Sequence, residues 1–166
     1  MNFELITVDG PEHSYFPVFA EMYKELTRGL EPIWKNVRRH FYTWSDQDLR
    51  DIAEVQADEQ TSRCRVCVLL GDGIPIGFIE YSMPVANVLL AIDNIYVREA
   101  YRNQGGFNFM YEAILSICRE NGITDIELGA TVGTPAIEIY ERLGFKPVYV
   151  KYQIAMNAPE GDRHAK

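Results

Sequence analysis

A chain of 166 residues, 47% hydrophobic and 24% charged, is long enough to bury one core and too evenly mixed for a disordered tail. Its formal net charge of −8 argues against a nucleic-acid binder and mildly favours cationic small molecules. MNFELITVDG has no basic region followed by an apolar run, and no segment approaches the ~20 apolar residues of a membrane helix, so the expected location is cytoplasmic with no membrane partner.

Phe3 to Val8 reads as a first strand, ended by Asp9-Gly10-Pro11. Ser14 is a candidate cap for a helix whose Phe19, Met22, Tyr23, Leu26 and Leu30 form one stripe, with Gly29 and Glu31-Pro32 expected to stop it. Ile33 to Trp44 interleaves Trp34, Phe41, Tyr42 and Trp44 with Lys35, Arg38, Arg39 and His40. Two readings fit it: a helix packing its rings and solvating its bases, or a stacking surface for nucleobases, which the acidic balance disfavours. His40 is a lone histidine and receives no catalytic role. Ser45 to Ala57 reads as a second helix, with Ser45 and Asp48 resembling a capping box.

Cys64 to Leu70 alternates, and Gly71-Asp72-Gly73 turns it into Ile74 to Met83 as a hairpin, stopped by Pro84. The Cys64-Arg65-Val66-Cys67 spacing could signal redox or metal chemistry. On a strand, however, those two thiols face opposite sides, and no second ligand pair exists, so Cys64, Cys67 and Cys118 are read as structural and no metal is expected.

Leu89 to Val97 is an apolar run broken only by Asp93 and Asn94, as expected of a strand covered on both faces. Phe107, Met110, Tyr111, Ile114 and Cys118 then recur at helical spacing, with Asn121-Gly122 as the stop. Asp125 to Gly129 makes a short strand. Thr134-Pro135 opens a further helix that Gly144 closes, and Lys146 to Met156 supplies the last strand. No repeat or linker divides the chain, so residues 1–157 are expected to form one domain, with 158–166 a polar tail. The order β-α-α-β-β-β-α-β-α-β predicts an α/β fold, a mixed central sheet with helices on both faces.

Between the central strand and its helix lies Arg102-Asn103-Gln104-Gly105-Gly106. A basic, glycine-containing turn at the positive end of a helix suits a phosphate. It is not a Walker loop, because no Gly-Lys-Ser/Thr follows, and it lacks the three spaced glycines of a dinucleotide fingerprint. Together, Ile95-Tyr96-Val97, Tyr101-Arg102-Asn103-Gln104-Gly105 and Ala136-Ile137-Glu138-Ile139-Tyr140-Glu141-Arg142-Leu143-Gly144-Phe145 resemble the GNAT superfamily of acetyl-CoA-dependent N-acetyltransferases. The C-terminal half matches closely, and the N-terminal half only in the order of its elements.

The resemblance implies acetyl transfer from acetyl-CoA to an amine, on strands that diverge to admit the donor. It places the pyrophosphate on the amides of Asn103, Gln104, Gly105, Gly106 and Phe107, with Arg102 adding charge. It places the pantetheine arm along the Ile95-Tyr96-Val97 strand and Tyr140 near the sulfur. Asp93, with Glu80 on the adjacent strand, becomes the candidate base, acting through ordered water. A backbone N–H near Ile95 would meet the oxyanion. Trp34, Tyr42 and Tyr81 are candidates for walling the acceptor, a small-molecule or peptide amine. Many relatives form dimers, so a homodimer is left open.

Two departures bear on the donor. Phe107 stands where the family's turn usually has a second small residue, although Gly106 could serve with a shift of one, and Gly133 stands where many members carry Asn. Two alternatives follow: a non-catalytic domain of this fold that binds coenzyme A as a sensor or subunit, and a different phosphate-cofactor enzyme using the same helix end.

Overall fold

Alternating side chains in the segments Phe3–Val8 (β1) and Cys64–Gly71 (β2) pair them as antiparallel neighbours, with Phe3 opposite Gly71 and Val8 opposite Val66. The computed structural model describes residues 1–37, 45–58, 64–83 and 88–148. The remaining elements are α1 (Phe16–Val37), α2 (Asp46–Ala57), β3 (Ile74–Ser82), β4 (Leu89–Val97), a short 3-10 turn (Glu99–Tyr101), α3 (Gly106–Asn121), β5 (Asp125–Leu128) and α4 (Ala136–Arg142). The described strands form one mixed sheet in the order β1-β2-β3-β4-β5, antiparallel except for the last pair.

The hairpin between β2 and β3 closes through Asp72 and Gly73, both at positive φ (50° and 80°), the conformation for which Asp-Gly is suited. Asp72 also fixes the start of β1. Its N–H donates to the Asn2 carbonyl, and its carboxylate accepts from the Asn2 N–H, each at 2.8 Å. Ser45 and Asp48 make the expected capping box at the start of α2.

Residues gather into two compact units: Met1–Leu26 with Ser45–Gly129, and Thr27–Trp44 with Ala130–Lys166. Within the first unit, the sheet is packed on both faces. Val66, Val68, Leu70 and Phe78 meet Phe16, Phe19 and Met22 of α1 and Leu49 and Ala53 of α2 on one face. Cys67, Leu69, Ile76, Ile79, Leu90 and Ile92 meet Met110, Ile114 and Cys118 of α3 on the other. Each large apolar side chain fully withdrawn from water contributes about 1.5–3 kcal/mol, and β2, whose sequence reads as alternating, is buried on both faces from Val66 onward because helices cover both sides of it.

Three expectations are corrected. The first helix does not stop at Gly29 or Pro32; it runs to Val37. Glycine costs a helix only about 1 kcal/mol and proline about 3, local penalties that a helix already nucleated over several turns can absorb. It begins at Phe16 rather than beside Ser14, and His13 Nδ1 accepts from the Tyr15 N–H at 3.1 Å in the preceding turn. Lys146 to Val148 are not strand, and residues 149–156 of the expected last strand lie outside the described residues, as do His40, Tyr42 and the tail.

Candidate active site

The β4 to α3 connection is built so that its backbone donors face outward. Tyr101 N–H bonds the Arg98 carbonyl (2.9 Å) and Arg102 N–H the Glu99 carbonyl (3.2 Å), which winds the 3-10 turn. Arg102 Nε then braces the Val97 carbonyl (3.0 Å), and Gln104 Nε2 the Ala100 carbonyl (3.1 Å). Asn103 and Gly105 adopt φ of 61° and 95°, so the chain reverses and enters α3 at Gly106. The first backbone bond into the helix is Phe109 N–H to the Gly105 carbonyl at 3.0 Å. The amides of Gly106, Phe107 and Asn108 therefore have no backbone acceptor among the described residues, at the positive end of a sixteen-residue helix. That combination fits a pyrophosphate.

At Gly106 the first turn of this helix lies against the sheet. The glycine is buried, and a Cβ there would stand 2.9 Å from Leu69 Cδ2. The neighbouring Phe107 is half-buried and stacks on Tyr111, one turn on, with ring centroids 6.3 Å apart and planes 14° apart. Gly106 thus occupies the position that requires the absence of a side chain, and the Phe107 ring runs along the helix.

β4 has two halves. Leu89 to Ile92 pair with β5, but β5 ends at Leu128, and Asp93 to Val97 have no partner on that edge among the described residues. Burial changes at the same point: Leu90 and Ile92 are buried between half-buried Leu89 and Ala91, Asp93 is exposed and Ile95 to Val97 are half-buried, so the strand is fully covered only on the face of Leu90 and Ile92. Ile95 and Val97 pack on the α3 side. Tyr96 points to the other face, where its hydroxyl donates to Glu25 Oε2 (3.0 Å). Arg98 grips the same carboxylate through Nε (3.1 Å) and Nη2 (2.9 Å) and the Pro75 carbonyl through Nη1 (3.1 Å). Burial, followed by the Glu25 carboxylate, pushes the Tyr96 phenol up to about 12. This Glu25–Tyr96–Arg98 network ties α1 to the end of β4; nothing in the sequence pattern marked it, because its partners are some seventy residues apart.

The acidic candidates meet beside the free edge. Pairing of β3 with β4 shifts between Glu80 and Tyr81, which face Asn94 and Ile92, so Asp93 is an extra residue in a bulge. Glu80, 1% exposed, accepts from Asn94 Nδ2 at 2.6 Å. Burial pushes its carboxyl above the usual glutamate range; the nearby Asp93 adds to this, while hydrogen bonds from Asn94 and Cys64 oppose it. Asp93 is exposed and accepts from Ser82 Oγ (2.8 Å) and, more distantly, from Cys64 Sγ (3.7 Å). Cys64 therefore belongs to this cluster, whereas Cys67 and Cys118 are buried in the α3-side core as structural thiols. Gln56 Oε1 is buried with no hydrogen-bond partner among the described residues, and the Gln56 side chain also bonds Tyr23, whose ring borders Glu80.

Tyr81 packs on the α3 side of the sheet, opposite Glu80, because successive strand residues alternate. Trp34 falls within α1, and Tyr42 lies outside the described residues. Tyr140, on α4 in the second unit, packs its ring 6.1 Å from Phe145, and burial pushes its phenol above the usual range. Gly133 holds a positive φ of 87° in the turn before α4. Among the described residues, no group of His, Cys, Asp and Glu is arranged to hold a metal ion, and no helix is long and apolar enough to cross a membrane.

Residues 22–145 match the family model described as "Acetyltransferase (GNAT) family". No curated protein matches the chain. A possible acetyltransferase from Clostridium difficile 630 superposes with a TM-score of 0.71 at 18% identity, over 93% of this chain and 98% of that one. A ribosomal-protein-alanine N-acetyltransferase from Brucella melitensis biovar Abortus 2308 gives 0.71 at 15%, over 93% and 99%. AAC(6')-Iy, in complex with the bisubstrate analogue CoA-S-monomethyl-acetylneamine, gives 0.62 at 14%, over 93% and 99%. At these identities the likeness is one of fold.

Proposed function

The chain belongs to the acetyltransferase (GNAT) family, and from that premise we propose that it transfers an acetyl group directly from acetyl-CoA to a primary amine of a small molecule or peptide. The observation that carries this reading is the half of β4 that, among the described residues, pairs with β3 alone and runs from a bulge with two carboxylates into a turn whose last amides have no backbone acceptor. The edge from Asp93 to Val97 offers backbone groups to the pantetheine arm as an added strand would. The amides of residues 103–107, with Arg102, hold the pyrophosphate. Acetyl-CoA supplies an acetyl thioester already activated toward attack.

An alkylamine is protonated at neutral pH (pKa ~10.4 for lysine), so it must lose a proton before it attacks. Asp93, exposed, receives the ammonium, and Glu80, the more basic because buried, accepts the proton through ordered water. The N–C bond then forms to give a tetrahedral oxyanion, which a backbone N–H near Ile95 meets; as the C–S bond breaks, the second proton of the attacking nitrogen passes to the departing sulfur, leaving the amide and the free thiol. For Tyr140 the resemblance gives the role of partner to the departing sulfur. With its phenol raised it is a poorer acid, so it hydrogen-bonds the departing thiolate rather than surrendering its proton. The relatives' acceptors, a ribosomal-protein alanine and a neamine derivative, are both amines, and the net charge of −8 suits a cationic one.

The test is incubation with acetyl-CoA and a panel of spermidine, neamine and a lysine-containing peptide, following free thiol and the acetylated product by mass. Product that depends on both partners is expected. Acetyl-CoA binding with no product on any amine would contradict the reading and favour a sensor or subunit. Competition by ATP or NAD but not by coenzyme A would favour another phosphate-cofactor enzyme.

A further inference from the structure

Two consecutive residues of a regular strand face opposite sides of the sheet. Asp93 and Asn94 do not. Ile92 before them and Ile95 after them both pack on the α3 side. Asp93 instead bonds Ser82 and Asn94 bonds Glu80, and Glu80 and Ser82 share one face of β3. The bulge is what permits this, since the extra residue lets two side chains in succession turn to the α1 and α2 face. Without it, Asn94 would point toward α3 and the buried carboxylate would lose the amide opposite it.

We propose that Asn94 is a positioning residue for Glu80: the bulge at Asp93 turns the Asn94 amide onto the buried carboxylate and holds it, ionised and aligned, as the proton acceptor of the site. The proposal rests on reading Glu80 as that acceptor. Its geometry is an amide nitrogen 2.6 Å from Oε2 on directly paired strand positions, a donor aimed at the carboxylate. A carboxylate 1% exposed needs such a donor to stay charged. The other groups facing it act in known directions. Tyr23 from α1 is a neutral phenol that Gln56 of α2 bonds, Cys64 from β2 brings a thiol whose one proton lies between Glu80 and Asp93, and Asp93 from β4 repels. Asn94 and Asp93, adjacent in sequence, thus push the Glu80 carboxyl in opposite directions.

That opposition supplies the test. Full-length ligand-free protein carrying glutamate labelled at the carboxyl carbon is titrated by NMR. Glu80 is expected to titrate above the ordinary glutamate range, higher still in Asn94→Leu, and lower than wild type in Asp93→Asn. Asn94→Ser, which keeps a shorter donor, serves if Asn94→Leu does not fold and should fall between wild type and full loss. A Glu80 titration unmoved by Asn94→Leu or Asn94→Ser overturns the proposal. On whichever of spermidine, neamine or the lysine peptide is acetylated, the acidic limb of the kcat/KM profile should move upward with the NMR value while the acetyl-CoA dissociation constant stays unchanged. A uniform loss of rate at every pH would mark Asn94 as merely structural and refute the role. If Glu80→Gln keeps full turnover, the reading of Glu80 as base fails even where the NMR shifts stand. If Glu80→Gln is inactive but Asn94→Leu leaves the limb in place, the inference about Asn94 fails alone.

Discussion

At Gly77, β3 lies against the half of β4 assigned to the donor with no room for a side chain. The glycine is buried and lies opposite Val97. A Cβ added there would collide with the Tyr96 carbonyl oxygen and stand 3.3 Å from Val97 Cα. These are backbone atoms of a paired strand, so no rotamer change relieves the clash and β4 itself must shift. Overpacking costs about 1–3 kcal/mol, and a backbone collision belongs at the upper end. For a chain of this length, about 3 kcal/mol lowers Tm by roughly 6–12 °C. Because the displaced residues carry the unpaired edge, acetyl-CoA affinity should also fall, by about tenfold if ~1.4 kcal/mol of edge pairing is lost. Gly29→Ala provides the contrast: it lies inside α1 with nothing within 4 Å of the new methyl, so helix propensity should stabilise it by about 0.8–1 kcal/mol. Thermal unfolding and calorimetric titration with acetyl-CoA measure both effects. A Gly77→Ala protein melting within about 2 °C of wild type, with unchanged affinity, would refute the close approach and the placement of the donor along β4.

Further expectations concern charge. Gly105→Glu sets a negative side chain at a residue with φ of 95°, next to the acceptor-free amides, and should abolish acetyl-CoA binding; equilibrium dialysis showing retained affinity would remove the turn from the donor site. Glu25→Gln removes the carboxylate that helps hold Tyr96 up at about 12, so an ultraviolet titration should show that phenol ionising at lower pH, and an unchanged midpoint would exclude the network. The Glu80 carboxyl is raised in the folded chain, so between the ordinary glutamate range and its folded value the native state binds more protons than the unfolded one. Stability should therefore decline as pH rises through that window. Urea unfolding at a series of pH values should show a weaker decline in Glu80→Gln, and an identical slope would contradict the burial argument.

Legibility in the sequence followed the range of the chemistry. β1 and β4 begin and end where the pattern places them, and α3 stops at Gly122 in the left-handed conformation that a glycine allows, because turns and caps are local. The glycine turn into α3 was readable for the same reason. Local penalties misled at Gly29 and Pro32, where a helix already under way continues through both. The bulge at Asp93 shows in the sequence only as a polar break in an apolar run: the extra residue is visible in the register against β3, and it decides that Asn94 faces Glu80. Cys64 was read as structural because spacing shows which face a thiol takes but not that Asp93 shares it. The Glu25 clamp escaped notice because charged residues on a helix are ordinarily solvated, and only folding brings Arg98 to it.

The central claim is that the free half of β4 and the turn beyond it form an acetyl-CoA site, and unfolding across an acetyl-CoA titration tests it most directly. At about a hundred times the dissociation constant, a ligand bound only by the native state adds about 2.7 kcal/mol, or roughly 5–11 °C in Tm for a chain of this size. A saturable rise of that order with acetyl-CoA, and none with ATP or NAD, is the predicted result. No rise with acetyl-CoA, or an equal rise with either nucleotide, would contradict it.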